Sequence, residues 1–224
     1  MNQRYVSKEL THFVGGNIRN QRGEFDSDCA DRQFDLLVHI VTTGCLRSPE
    51  RKCDDALTLN SPNSGVIDYR DVVCFCDIPV DDLQIHMGKY SEFGIAFKKE
   101  FLISKGANPV LYIVQQTGAL ASAFDRFLFF DVVTQRVAFR LQVDTSIPPE
   151  LAHDLVTILV FCKNFPPMRP DEDPENYYME REWRLVGNLY FQQSNICRVI
   201  LPERYARRFR DECPDYFGQI TFSD

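Results

Sequence analysis

The chain has 224 residues, of which 44% are hydrophobic and 25% are charged. These proportions are typical of globular proteins and argue against a disordered chain. With 25 basic and 32 acidic side chains its net charge is −7, which argues against a protein that coats DNA or a membrane through excess positive charge. A chain of this length can bury a core without disulfides, and we expect one domain over residues 1–224.

The sequence shows no signal of membrane insertion, secretion or zinc binding. No apolar run reaches the ~18 residues that a membrane helix needs, and the first residues have no apolar signal core. Cys74 and Cys76 form one close cysteine pair, but the second pair that a zinc site needs does not follow. We therefore expect free thiols, no bound metal, no membrane contact and a cytoplasmic location.

The first half of the chain predicts alternating strands and helices. A strand over 4–14 ends in a Gly-Gly turn, and a helix over 31–44 has apolar side chains at helical spacing and ends at Gly44. The stretch 47–69 is rich in Pro, Ser, Asn and charge, which predicts a long loop. Five further elements follow: a buried strand over 72–78, a helix from Pro79, a strand over 90–97, a helical turn over 98–105 and a strand over 108–114.

The second half continues the alternation with two helices, near 115–130 and 148–163. The stretch 165–178 contains four prolines and predicts another loop. The remaining elements are strands over 181–186 and 196–201, a helix over 202–211 and a strand over 218–222. This order predicts the α+β class, with one compact domain in which helices flank a central mixed or split β-sheet.

Glu180 and Glu182 form the most informative pair of acidic residues. In an extended segment, residues two apart project from the same face, so the two carboxylates would be neighbours. Neighbouring carboxylates change each other's proton affinity, or one of them holds a ligand hydroxyl. The alternative is an edge strand on which both acids are solvated and Arg184 is merely an ion-pair partner.

Five arginines cluster near the C-terminus: Arg198, Arg204, Arg207, Arg208 and Arg210. Three of them recur at helical spacing, which predicts either a phosphate-facing patch or a helix flank paired with Glu203 and Asp211. The chain has no glycine-rich phosphate loop and no serine nucleophile elbow. ATP-driven chemistry and serine-hydrolase chemistry are therefore not indicated.

Six sequence blocks follow one another along residues 4–201: Leu10-Thr-His-Phe13, Leu37-x-x-Ile40-x-x-x-Gly44-x-Leu46, Val73-Cys-Phe-Cys-Asp-Ile-Pro79, His86-x-x-x-Tyr90-x-x-Phe-Gly-Ile-x-Phe97, Asn108-Pro-Val-x-Tyr112 and Glu180-x-Glu-Trp-Arg184. In this order and spacing they resemble the AbiGi-type abortive-infection proteins of bacteria. The resemblance implies a role in phage defence, with a cognate toxin or antitoxin as partner.

The same layout is similar to that of ADP-ribosyltransferases of the DarT and diphtheria-toxin kind, which implies an ADP-ribosyltransferase-like fold and NAD as substrate. In those enzymes a His on the first strand, a Tyr in the middle and a Glu on a late strand form the site. By position the resemblance implies His12, Tyr90 and Glu182, and Tyr69 or Tyr112 could take the place of the tyrosine. The implied chemistry requires no metal, and the acceptor would be a nucleic acid or a protein.

This resemblance also implies a role for each residue. Glu182 would hold the ribose hydroxyls and stabilise the positive charge that develops when the glycosidic bond of NAD breaks. Glu180 would orient the acceptor or take its proton. His12, which is also a candidate catalytic residue, would bind the adenosine ribose, Tyr90 would stack on nicotinamide, and Arg184 would complete the NAD-binding set. The hypothesis requires His12 and Glu182 to line one cleft.

Two other functions stay open. The first is a metal-free ribonuclease, in which His86 or His12 works with Glu182 as acid and base while Arg184 neutralises a phosphate. The second is a non-enzymatic antitoxin or sensor module with the same fold.

Overall fold

The computed structural model describes residues 7–19, 26–48, 72–114, 148–165, 170, 173 and 176–224. The chain divides into two compact units. The first comprises Met1–Arg47, Val73–Asn108 and Glu180–Asp224, and the second comprises Ser48–Val72 and Pro109–Met179. That the whole chain is one domain stays a prediction.

The described residues contain eleven strands: β1 Glu9–Phe13, β2 Cys45–Leu46, β3 Val72–Cys76, β4 Gly94–Lys98, β5 Asn108–Pro109, β6 Leu111–Val114, β7 Cys162–Phe165, β8 Glu182–Val186, β9 Leu189–Tyr190, β10 Ile196–Leu201 and β11 Gln219–Phe222. They also contain five α-helices: α1 Ser27–Thr43, α2 Gln84–Lys89, α3 Lys99–Ser104, α4 Pro149–Val160 and α5 Ala206–Glu212. Short 3₁₀ turns lie at Val80–Asp82, Tyr177–Glu180, Gln193–Asn195 and Glu203–Tyr205.

Seven strands form one mixed sheet in the order β11-β10-β4-β1-β3-β8-β5. The pair β10 and β11 is parallel, whereas β1 pairs antiparallel with both β3 and β4 and β4 pairs antiparallel with β10. The strands β2 and β9 form a small antiparallel pair of their own. The α+β class and the mixed central sheet flanked by helices are therefore confirmed.

The two faces of the seven-stranded sheet carry different clusters of apolar side chains. Because neighbouring residues of a strand point to opposite faces, Phe75 and Cys76 of β3 belong to different clusters. We call first face the one that carries Leu10, Phe75 and Ile95 and packs on the larger core, to which α1 contributes Phe34. The second face carries Cys76 with a smaller cluster, completed by Ile78, Leu83, Met87 and Ile200. Both clusters lie within the first unit.

Helix α1 begins four residues before the predicted start at 31. The side chain of Asp26 accepts a hydrogen bond from the backbone N–H of Cys29 at 2.9 Å, which satisfies one of the free donors of the first turn. The predicted end is confirmed, because Gly44 adopts the left-handed conformation with φ 63° directly after Thr43.

The second unit contains α4 and the parallel pair of β6 and β7, in which Leu111 lies opposite Cys162. The predicted helix over 148–163 ends at Val160, and the strand Cys162–Phe165 follows it. The predicted strand over 108–114 splits into β5 and β6, which belong to different sheets.

Other predicted boundaries differ locally. The strand expected from residue 90 begins at Gly94, because the N–H of Tyr90 still donates to the carbonyl of His86 and ends α2. The helix expected from Pro79 is a 3₁₀ turn followed by α2. The predicted loop over 47–69 from residue 49 onward, the helix near 115–130 and most of the loop over 165–178 lie outside the described residues. Among the described helices, none combines the length and the apolar character needed to cross a membrane.

The two glycines Gly44 and Gly88 provide a matched test of the fold. Gly44→Ala should lower the free energy of unfolding by about 2 kcal/mol or more, because a left-handed L-residue costs about 1–2 kcal/mol and the new Cβ would clash with the carbonyl oxygen of Phe191. Gly88→Ala, where an added Cβ meets open space inside α2, should be neutral or stabilise by up to ~1 kcal/mol. Chemical denaturation measures both, and equal losses would contradict this account of Gly44.

Candidate active site

Glu180 lies at the end of the 3₁₀ turn before β8, and it is only 5% exposed. Its Oε1 accepts hydrogen bonds from Lys89 Nζ at 2.6 Å and from the Tyr90 hydroxyl. The Tyr90 ring stacks on Phe13 with 5.8 Å between the centroids, and Lys89 Nζ lies 5.1 Å from the centroid of the Tyr90 ring. Burial of a carboxylate is costly unless it is paired and hydrogen-bonded, so Lys89 and Tyr90 are what makes this position tolerable.

The structure thus brings Tyr90 to a predicted catalytic carboxylate. Of the two alternative tyrosines, Tyr69 lies outside the described residues. Tyr112 lies on β6 in the second unit, where its ring centroid is 5.2 Å from that of Tyr178. Tyr90 is therefore the tyrosine that the described geometry links to the glutamate pair.

The negative charge of Glu180 affects the pKa of two buried groups, His86 and Cys76. His86 is 8% exposed, and its Nδ1 has no hydrogen-bond partner within the described residues. Burial lowers the pKa of His86, and the negative charge of Glu180 opposes this shift only in part. Burial, aided by Glu180, raises the pKa of Cys76 to about 12. Near pH 7 the imidazole is therefore neutral and Cys76 is a thiol.

Glu182 is the first residue of β8 and is also 5% exposed. Arg184 Nε donates to its Oε1 at 2.7 Å. Trp183 and Leu185 pack against the larger core, so Glu182 and Arg184, which alternate with them, project from the second face. The strand lies between β3 and β5, so the alternative of a solvated edge strand is wrong, although Arg184 is an ion-pair partner as that alternative had it.

Arg181, between the two glutamates, has φ 45°, a left-handed conformation that costs an L-residue about 1–2 kcal/mol. The backbone N–H of Asp77 donates to its carbonyl oxygen at 3.3 Å, and its Nη2 donates to Asp77 Oδ2 at 3.3 Å. Residues in such conformations persist when their surroundings hold them, and they concentrate at functional sites. Nothing in the local sequence signals this strain, since the position holds neither Gly nor Asn.

The predicted placement of His12 beside Glu182 needs correction. His12 pairs in register with Ile95 of the larger core, and its ring centroid lies 5.9 Å from that of Phe75, so its side chain belongs to the first face. Its Nδ1 donates to the carbonyl oxygen of Cys74 at 2.8 Å. Burial lowers the pKa of His12, and this hydrogen bond opposes the shift. The cause of the separation is strand alternation, because one residue of register decides the face.

Four of the five C-terminal arginines, all but Arg207, have hydrogen-bond partners that the structure describes. Their partners are Glu9 for Arg198, Glu92 for Arg204, Asp35 and Glu212 for Arg208, and the carbonyl oxygen of Tyr216 for Arg210. The paired helix flank is therefore the alternative that the structure supports, with other acids than the expected Glu203 and Asp211. Across the ranges that the structure describes, no group of three or more His, Cys, Asp or Glu residues is arranged to hold a metal ion.

The comparisons with known proteins concern the family and the fold. Residues 50–212 match the family model described as "Putative abortive phage resistance protein AbiGi, antitoxin". The chain belongs to the AbiGi family. This confirms the predicted AbiGi membership and, at the coarse level, a phage-defence or toxin–antitoxin function. No curated protein matches the chain.

Two solved structures are similar to this AbiGi protein, both of DarT from Thermus sp. 2.9. The one in complex with NAD⁺ is 12% identical with a TM-score of 0.39, and the match covers 96% of this chain and 94% of that one. The one in complex with carba-NAD⁺ is 11% identical with a TM-score of 0.37, covering 95% and 94%. At these values the likeness assigns no role to any residue of the AbiGi chain.

Arg181→Gly should give a protein that is more stable than Arg181→Ala by about 1 kcal/mol, because only glycine adopts positive φ without strain. Both variants lose the guanidinium, so the difference isolates the backbone. Arg207, exposed in α5, is the matched control, where the glycine variant should be the less stable one by about 1 kcal/mol. If denaturation curves give Arg181→Ala a free energy of unfolding equal to or higher than that of Arg181→Gly, they contradict backbone strain at Arg181.

The free energy of unfolding should fall as the pH is lowered from 7 to 5.5. The pKa of His86 lies below 6.5 in the folded protein, so the unfolded chain binds more protons in this window and is favoured at the lower pH. His86→Gln should therefore show a smaller fall than the parent protein. His39→Gln, which changes an exposed imidazole on α1, is the control and should fall as much as the parent. If the free energy of unfolding falls equally in the parent protein and in His86→Gln, the lowered pKa of His86 is refuted.

Proposed function

We propose that this AbiGi protein is a phage-defence effector that transfers ADP-ribose from NAD to a macromolecule, at a site built on Glu180 and Glu182. The observation that carries the proposal is the burial of both carboxylates on either side of the strained Arg181. Buried ion pairs add little net stability compared with apolar residues of the same size. Two such glutamates with a strained residue between them therefore suggest that chemistry, rather than packing, requires them.

The reaction needs a carboxylate where positive charge develops. When the N-glycosidic bond of NAD breaks, its electron pair leaves with nicotinamide and ribose C1′ gains oxocarbenium character. Glu182, oriented by Arg184, stabilises that charge from the second face of the sheet. An acceptor oxygen or nitrogen then attacks C1′ and loses its proton to Glu180, which Tyr90 and Lys89 hold in place.

Tyr90 takes a different role here from the one first expected. Its ring already stacks on Phe13, and its hydroxyl is bound to Glu180, so it orients the carboxylate. His12 projects from the first face, so the expected cleft shared by His12 and Glu182 is not found, and the proposal rests on the two glutamates without His12. The acceptor is a nucleic acid or a protein; the pairing of Arg198, Arg204 and Arg208 with acids weakens the charge argument for nucleic acid.

A second candidate function is a non-enzymatic antitoxin that binds a cognate toxin. The family description, which names an antitoxin, favours this candidate. The ribonuclease alternative loses one of its two candidate histidines, because His12 lies on the other face, whereas His86 lies near Glu180; Arg184, its candidate phosphate ligand, is paired with Glu182.

Purified protein incubated with NAD and bacterial extract should release nicotinamide, and Glu182→Gln should lower the rate by about 100- to 1,000-fold, the typical effect of removing one electrostatic stabiliser. Gln keeps an oxygen for Arg184, so the fold should persist, which its thermal unfolding verifies. Glu203→Gln, the same change at an exposed site, is the control and should leave the rate unaltered.

The absence of nicotinamide release with extracts of both healthy and phage-infected cells would overturn the enzymatic proposal. In that case, the chain should be expressed in cells together with a toxin encoded beside its gene. Restored growth, with Glu182→Gln restoring it equally well, would support the antitoxin candidate instead.

A further inference from the structure

We infer that Asp77 is a positioning residue of this site, which holds Arg181 in its left-handed conformation and thereby sets Glu180 and Glu182 in place. The activity part of this inference rests on the proposed ADP-ribosyl transfer, whereas the structural part does not. Asp77 is not among the residues that the sequence predicts for the site.

Asp77 directly follows β3 and is buried, and its carboxylate accepts three hydrogen bonds. Oδ1 accepts from the backbone N–H of Ser7 at 3.1 Å, and Oδ2 accepts from Lys99 Nζ at 2.8 Å and from Arg181 Nη2 at 3.3 Å. Lys99 Nζ also lies 5.3 Å from the centroid of the Trp183 ring. The carboxylate is therefore fully engaged in holding parts of the chain together.

Asp77 acts from the opposite side of the sheet to the glutamates. Lys99 contacts both Asp77 and the ring of Trp183. Trp183 packs against the larger core on the first face, whereas Glu182 projects from the second face. Asp77 contacts Arg181 directly, so it can act on the two glutamates through the backbone of the strained residue.

The contacts of Asp77 with Arg181 are suited to that task, because they hold the residue at two points. The backbone N–H of Asp77 binds the carbonyl oxygen of Arg181, and the Asp77 carboxylate binds its guanidinium. With its carbonyl oxygen and its guanidinium both held, Arg181 has less freedom to rotate about its backbone bonds. With the restraint weakened, a non-glycine residue would relax towards negative φ and move the carboxylates on either side of it.

This inference yields a rescue experiment. Asp77→Asn should lower kcat for nicotinamide release by about 10- to 100-fold, as misplaced catalytic groups do, and leave KM for NAD within about twofold. Arg181→Gly in the same chain should restore kcat to within about threefold of the parent, because glycine adopts positive φ without a restraint.

Lys99→Met provides the matched control, since it removes the other cation on Asp77 and leaves Arg181 bound. It should lower the unfolding temperature without lowering kcat. An Asp77→Asn defect that Arg181→Gly does not rescue, or an equal loss of kcat in Lys99→Met, would show a structural role only and overturn the inference.

A second measurement separates this inference from the proposed function. In protein labelled with ¹³C at glutamate Cδ, the resonances of Glu180 and Glu182, assigned through their Gln variants, should move in Asp77→Asn and return in the double variant with Arg181→Gly. If the parent protein releases no nicotinamide but the resonances behave in this way, the positioning role stands and the proposed function fails. Unmoved resonances in Asp77→Asn overturn the positioning role, whatever the activity.

Discussion

The requirement that a buried carboxylate have partners organises this protein's candidate site. Two glutamates separated by one residue are both withdrawn from water, and each has a cation at hydrogen-bond distance: Lys89 for Glu180 and Arg184 for Glu182. The short helix α2 supplies the first cation together with Tyr90, and β8 supplies the second. The left-handed residue Arg181 lies between them, where the chain passes from a 3₁₀ turn into an inner strand.

Much of this arrangement could be predicted from the sequence, and the failures have a common cause. Local patterns of apolar and charged residues predict the α+β class, the apolar face of α1 and the inner strands. They also predict the pairing of Arg184 with Glu182. Local patterns do not predict on which face of the sheet His12 lies or that Arg181 has a positive φ. Both features depend on contacts with residues that are distant in sequence. His12 is placed by its register with Ile95, and Arg181 is held by Asp77. The early start of α1 could have been seen, since Asp26 is a good N-cap.

Family membership and site geometry address different levels of function. The AbiGi match places the protein in phage defence, and the buried glutamate pair suggests what it does there. Without His12, the candidate site lies on the second face of the sheet, where the glutamates, Tyr90 and Arg184 are found.

The most direct test is a crystal structure of the protein with a non-hydrolysable NAD analogue. The account predicts that the nicotinamide ribose lies against the Glu182 carboxylate on the second face of the sheet, with its C1′ open to an acceptor beside Glu180. An analogue bound next to His12 on the first face would contradict the central claim, as would crystals soaked to saturation in which neither glutamate contacts the ligand.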